Sequence, residues 1–201
     1  MAETRPQSTS RLEKSAKRRQ MIVETAAGLF IEKGFHQTGM RDIAGKAGIS
    51  LSNLYNHFKG KNEIIAAISE LETVELDPLL RRLEDTSRNR MERLLQFAAA
   101  YYDLCSSPAH AALSAEIVAE AFRNPEIGGL FVQTRARLVQ AVANCLPMSE
   151  ENPATSAELV LGLIERSGQN AVSRDVSTRK QLRQSMLAFV ERAVGTELKH
   201  G

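Results

Sequence analysis

Two short apolar-periodic segments, near residues 40–47 and 51–57, meet across Ala44-Gly45-Lys46-Ala47-Gly48, and this spacing strongly limits how the chain can fold around them. Helices that cross steeply over so few residues need a small side chain where they touch and a turn residue that tolerates positive φ. Ala44 and Gly48 supply these. Ile43, Ile49, Leu54 and Phe58 give apolar anchors under both helices. On a wheel begun at Leu51, Leu51, Leu54 and Phe58 fall within about 60° of one another, and Ser52, Asn53 and Asn56 span the arc from about 100° to 200°. The outward face of the second helix is therefore small and polar, and asparagine suits a bidentate bond to adenine N6 and N7. Tyr55 lies at the edge of the two faces, where its ring can pack inward while its hydroxyl reaches a phosphate. His57, at about 240°, either packs beside Phe58 or reaches a phosphate. The arrangement predicts a helix-turn-helix that reads DNA through the major groove.

Charge supports that prediction. The net charge of +2 divides unevenly: residues 1–61 hold 11 Lys/Arg against 5 Asp/Glu, and residues 62–201 hold 15 against 19. A basic block ahead of an acidic body fits a polyanion partner at one end only. Cys105 and Cys145 are too few for a disulfide framework and read as buried free thiols in a reducing compartment. With His36, His57, His110 and His200 they form no zinc-ligand spacing, so neither a metal nor a cofactor is expected. No apolar run approaches the ~20 residues a bilayer span needs, and the first residues lack the apolar core of a secretory signal. A cytoplasmic protein is expected.

Along the chain, residues 1–15 read as a disordered or basic arm. A first helix starts near Ser10, whose spacing to Glu13 suits a capping box, or near Lys17, and runs to Gly34. Short helices near 40–47 and 51–57 follow, the latter capped by Ser50. A fourth starts near Lys61, and Asp77-Pro78 predicts a kink or break. Further segments are expected near 78–86, 89–105, 108–123, 126–145, 154–173 and 178–197, with Pro108, Pro125 and Pro153 at helix starts. No stretch alternates like a strand. The fold class is all-α with about nine helices: a helix-turn-helix domain over 16–62 and a larger helical body over 63–201.

Gly34-Phe35, Thr38, Asp42-Ile43-Ala44, Ala47-Gly48-Ile49-Ser50, Leu54-Tyr55, His57-Phe58 and Lys61 together resemble the TetR family of bacterial transcriptional regulators, over roughly residues 20–65. The resemblance implies that Arg41 approaches a base or phosphate and that Leu51, Ser52 and Asn53 face base edges. It also implies that Tyr55, His57 and Lys61 hold phosphates, with Lys17, Arg18 and Arg19 adding contacts from the arm. The chain departs from the family pattern at Gly39, where a capping Ser or Thr is usual, at Leu51 and at Ser52. Leu51 either touches a thymine methyl or turns inward.

A lone helix-turn-helix reads few base pairs, so two half-sites about one helical turn apart call for a symmetric dimer. Leu159, Val160, Leu163, Ile164 and Gly168 on one helix, with Leu182, Met186, Phe189 and Ala193 on the next, are the candidate interface; an ordinary intramolecular stripe is the alternative. In the family the last two helices form a four-helix bundle with their mates. The middle helices would hold an effector pocket lined by Phe97, Tyr101, Tyr102, Phe122, Phe131 and Leu138. Glu116 and Glu120 share one helix face and either meet a cationic or hydroxyl-bearing ligand, pair with arginines such as Arg93, Arg123 or Arg166, or face solvent. The resulting expectation is a dimeric repressor of a palindromic operator, released by a small-molecule effector. The alternative on the same scaffold is an activator or a ligand-independent DNA-binding protein. A small helical enzyme lacks any nucleophile, metal or phosphate-loop motif, and a protein-binding module remains the third class.

Overall fold

Local capping signals set most helix boundaries in the computed structural model, which describes residues 7–147 and 150–195. The described helices are α1 (Gln7–Lys33), α2 (Met40–Lys46), α3 (Leu51–Tyr55), α4 (Lys61–Glu84), α5 (Arg90–Cys105), α6 (Pro108–Arg123), α7 (Pro125–Ala143), α8 (Pro153–Ala171) and α9 (Val176–Gly195). No strand occurs among the described residues. Pro108, Pro125 and Pro153 open α6, α7 and α8, where a missing N–H costs nothing. The side chains of Ser50 and Asn89 accept the Asn53 and Glu92 N–H groups at 3.1 and 2.9 Å. Gly34 and Gly48 take φ of 85° and 65°, the left-handed conformation that the turns after α1 and α2 require.

Two expectations change. The arm expected over residues 1–15 is helical from Gln7 onward, in line with the charged, proline-free composition of residues 7–20; residues 1–6 and His200 lie outside the described residues. Pro78 does not divide the fourth helix, which runs unbroken from Lys61 to Glu84. The proline withholds a hydrogen bond from the Val74 carbonyl one turn earlier, on an exposed stretch where water can serve it (Val74 is 65% exposed). Burial of Leu76, Leu80 and Leu83 holds the helix on its other side, and Arg137 pairs with Asp77 at 2.8 Å.

The helices enclose two hydrophobic cores. One joins Ile22, Leu29 and Phe30 of α1 to Ile43, Leu54, Phe58 and the first half of α4, and takes in Ile127 from α7. The other is built by the second half of α4 with α5, α7, α8 and α9 around Phe97, Tyr102, Leu138, Leu161 and Ile164. The approach of α5 and α8 depends on Gly168, where a Cβ would stand 2.6 Å from the Cys105 Cβ and 3.1 Å from the Tyr102 carbonyl oxygen. Substituting Gly168→Ala is therefore expected to destabilise the fold by about 1–3 kcal/mol through overpacking, measured by urea denaturation. A neutral result would mean that α8 shifts freely.

Candidate nucleic-acid interface and internal cavity

α3 presents Ser52, Asn53 and Tyr55 to solvent, with Asn56 exposed just beyond it, while Leu54 and Phe58 are fully buried beneath them. Tyr55 is 48% exposed, consistent with a ring at the edge of the core and a free rim. Asn56 and His57 fall in the turn after α3, which ends at Tyr55. Leu51 is half-buried against the N-terminal core, so its side chain turns largely inward. Arg41, Lys17 and Arg18 are exposed, on α2 and α1. Arg19 lies 4.6 Å above the Phe58 ring and 3.8 Å from Glu70. Gly39 gives α2 no side-chain cap; instead its N–H donates to the Asp42 carboxylate at 2.8 Å.

Lys61 is engaged within the fold. Its ammonium donates to the Phe35 carbonyl at 2.7 Å and sits 4.3 Å from the Phe35 ring centre. Burial pulls its pKa below the usual lysine value, against the pull of Glu120. A phosphate would have to draw it out of this contact. The same turn is gripped from α6. The Phe35 N–H donates to Glu116 at 3.0 Å, and His36 Nε2 lies 2.7 Å from the buried Glu120 carboxylate, with Arg123 at 3.9 Å. Glu116 and Glu120 thus hold the turn between α1 and α2, and neither is among the residues lining the pocket between α4 and α8. Arg93 instead donates to the Leu83 carbonyl at 2.8 Å.

A pocket of about 330 Å³, open to solvent on one side, lies among α4, α5, α6, α7 and α8. Of the expected pocket residues it takes Tyr101, Phe131 and Leu138. Phe97 and Tyr102 lie within the core, and Phe122 is 88% exposed on the outer side of α6. The polar lining was not anticipated: Glu72, His110, Thr134, Arg135 and Glu165. Arg135 bonds both Glu158 and Glu165, and the Tyr101 hydroxyl donates to Glu165 at 2.7 Å. Burial raises Cys105 to about 12, helped by Glu165, so its thiol stays protonated. Burial, with Glu75 and Glu165 nearby, raises Glu72 to about 6. Their sequence neighbourhoods are ordinary amphipathic helix, which is why composition and spacing did not single them out.

A second, open groove of about 260 Å³ runs between α8 and α9, lined by Leu159, Val160, Leu163, Phe189 and Ala193 among others. Leu159 is 70% and Phe189 53% exposed. The other expected interface residues serve the intramolecular core: Ile164, Gly168 and Met186 are buried, and Leu182 packs against them. Helical periodicity marked both faces of these helices and did not tell inner from outer.

The basic N-terminal helix-turn-helix and the larger helical body define a DNA-binding transcriptional regulator. Residues 22–68 match the model of bacterial regulatory proteins of the tetR family, and residues 92–200 match that of the AefR-like transcriptional repressor C-terminal domain. The chain belongs to the TetR family. It is 31% identical over 94 residues to the transcriptional activator FasR of Mycolicibacterium smegmatis, covering 47% of this chain and 42% of that one. It is 41% identical over 80 residues to the transcriptional repressor KstR2 of Mycobacterium tuberculosis, covering 38% of each. The chain thus spans about two fifths of the length of these relatives. A putative regulator from Saccharomonospora viridis, solved in complex with choline, shares the fold with a TM-score of 0.72 at 21% identity, over 88% of this chain and 96% of that one. Among the described residues, no helix is long and apolar enough to cross a membrane.

A carboxyl whose folded pKa is raised favours folding least when ionised: the penalty is absent below the unfolded value near 4.5 and complete above about 6. Glu72→Gln should therefore stabilise the ligand-free protein by roughly 1–2 kcal/mol at pH 7.5 and by little at pH 4.5. Thermal melts at the two pH values check this; equal shifts would place Glu72 in water.

Proposed function

We propose that the chain is a ligand-responsive repressor that binds a palindromic operator as a homodimer and is released by a small-molecule effector in the cytoplasm. The observation that carries this reading is the polar, exposed face of α3, seated on a fully buried Leu54 and Phe58 and joined through Phe35 and His36 to the helix that walls the cavity. Ser52 and Asn53 would reach base edges, with Leu51 closing the apolar side. Tyr55, His57, Arg41, Lys17 and Arg18 would hold phosphates or add backbone contacts, and Asn56 would extend the polar face. Lys61 would join them only by leaving Phe35. The match to a repressor C-terminal domain supports repression, while the relatives matched include both a repressor, KstR2, and an activator, FasR. The cavity, and a structural relative solved with choline, support a small-molecule effector.

The exposed Leu159 and Phe189, flanked by Val160, Leu163 and Ala193, support dimerisation through α8 and α9, because a second copy seated there would bury side chains that this chain leaves to solvent. Phe189→Glu should convert the dimer to monomer in sedimentation velocity, with helix content unchanged. A variant that remains dimeric would move the interface elsewhere.

A titration on the DNA upstream of the protein's own gene, with excess competitor and at two salt concentrations, tests the DNA reading. Some six phosphate contacts predict a loss of about 10³ in affinity between 50 and 200 mM salt. Tyr55→Phe should weaken binding uniformly across sequences. Asn53→Ala should relax preference at one base position, by about 1–3 kcal/mol. The reverse pattern would overturn the facing of α3, and a flat salt response would overturn the docking itself.

A further inference from the structure

The central cavity contains one charged side chain with nothing to answer it. Arg135, the only Lys or Arg among the described residues of its lining, is already shared between Glu158 and Glu165, and Glu165 also receives the Tyr101 hydroxyl. Glu72, from α4, has neither a hydrogen bond nor an ion pair among the described residues. The groups facing it are Glu75 on its own helix, Glu165 on α8, His110 on α6, Tyr101 and Cys105 on α5, and Arg135 on α7. Beside the cavity lies a crevice of about 190 Å³ that shares Glu72, His110, Ser114 and Ile117 with it. The crevice adds Glu24 and Glu75, holds no Lys or Arg, and reaches Val23 and Ala27 of α1.

We propose, resting on the ligand-binding reading above, that this cavity takes an amphiphilic organic cation, its ammonium against Glu72 and its apolar body among Phe131, Ile117 and Leu138. The chemistry excludes the other charge class. An anionic ligand would meet Glu72 and Glu165 with a single guanidinium that is already bonded. A neutral ligand would bury Glu72 further without pairing it, which is costly. A cation relieves the repulsion among the three glutamates, and the faces of Phe131 and Tyr101 add attraction for an ammonium. The cavity volume suits a small organic molecule, and its lining is chiefly apolar, as such sites require. Glu72 also lines the crevice against α1, so a cation drawn to it acts one side chain away from the DNA-binding unit.

Two probes of the same shape test the proposal by titration calorimetry on the full chain: phenyltrimethylammonium, and tert-butylbenzene as its uncharged counterpart. The cation should bind at least tenfold more tightly than the neutral probe at pH 7.5. Its affinity should fall about tenfold at pH 5, where Glu72, with its pKa raised to about 6, is mostly protonated. Binding at pH 6, where Glu72 is about half protonated, should release about half a proton, seen as a dependence of the heat on buffer ionisation. Glu72→Gln should weaken the cation at least tenfold and the neutral probe far less. If the two probes bind equally, or cation binding is indifferent to both pH and Glu72→Gln, the cation assignment is overturned while the pocket stands. If neither probe binds, the ligand-binding reading falls with it. The pH and proton-release measurements use the unaltered chain and so do not depend on the variant folding.

Discussion

Helix α4 belongs to both hydrophobic cores. Ile64, Ile65 and Ile68 are buried with α1 and the helix-turn-helix, and Leu76, Leu80 and Leu83 are buried with α5 and its neighbours. A continuous helix transmits rotation and translation over its length, because each turn is fixed to the next by backbone hydrogen bonds. Its 24 residues correspond to a rod of about 36 Å. Any repacking of the larger body that moves the second half of α4 must therefore move the first half. The tie to α7 is polar as well as apolar: Ser69 donates to the Leu130 carbonyl at 3.2 Å, and Thr73 and Thr134 share a hydrogen bond of 3.0 Å. Such directed bonds give the α4–α7 contact a preferred register.

A second connection runs parallel to the first. Glu116 and Glu120 of α6 hold the Phe35–His36 turn, and Lys61 at the start of α4 holds the Phe35 carbonyl. The position of the turn, and with it of α2 and α3, is thus defined from α6 and α4 together. These two helices also wall the cavity, with Glu72 on one side and His110 and Ile117 on the other. A ligand that changes the spacing of α4 and α6 acts on both anchors of the helix-turn-helix. It shifts the equilibrium only by its differential affinity for the two arrangements.

What the sequence made legible was local. Helix limits followed from Ser50 and the prolines at α6, α7 and α8, whose effects operate within one turn. The helix-turn-helix followed from Ala44, Gly48 and a handful of anchors close in sequence. What escaped was set by partners far along the chain. Pro78 sits inside α4 because the surrounding body buries one side of the helix and leaves the other to solvent. Glu116 meets an amide 81 residues away. Phe122 carries the right side chain for a pocket on the wrong side of α6. Glu72, within the acidic run Glu70, Glu72, Glu75 and Asp77, looks like a solvated face until α6 and α8 are placed over it.

That contrast bears on how the body is arranged. Where packing alone is at stake, the chain follows economy of shape: Gly168 lets α5 and α8 approach, and apolar side chains fill the interface. Around the cavity it does not. A carboxylate held without a partner beside two others is a standing destabilisation, and an amide of the same size would remove it. Stability selects against such a group, so its presence beside a cavity that also reaches α1 is best accounted for by the state in which a ligand pairs it. On the cation proposal, the ligand-free protein keeps a strained electrostatic arrangement at the junction of α4 and α6, and binding would relieve it where both helices hold the helix-turn-helix.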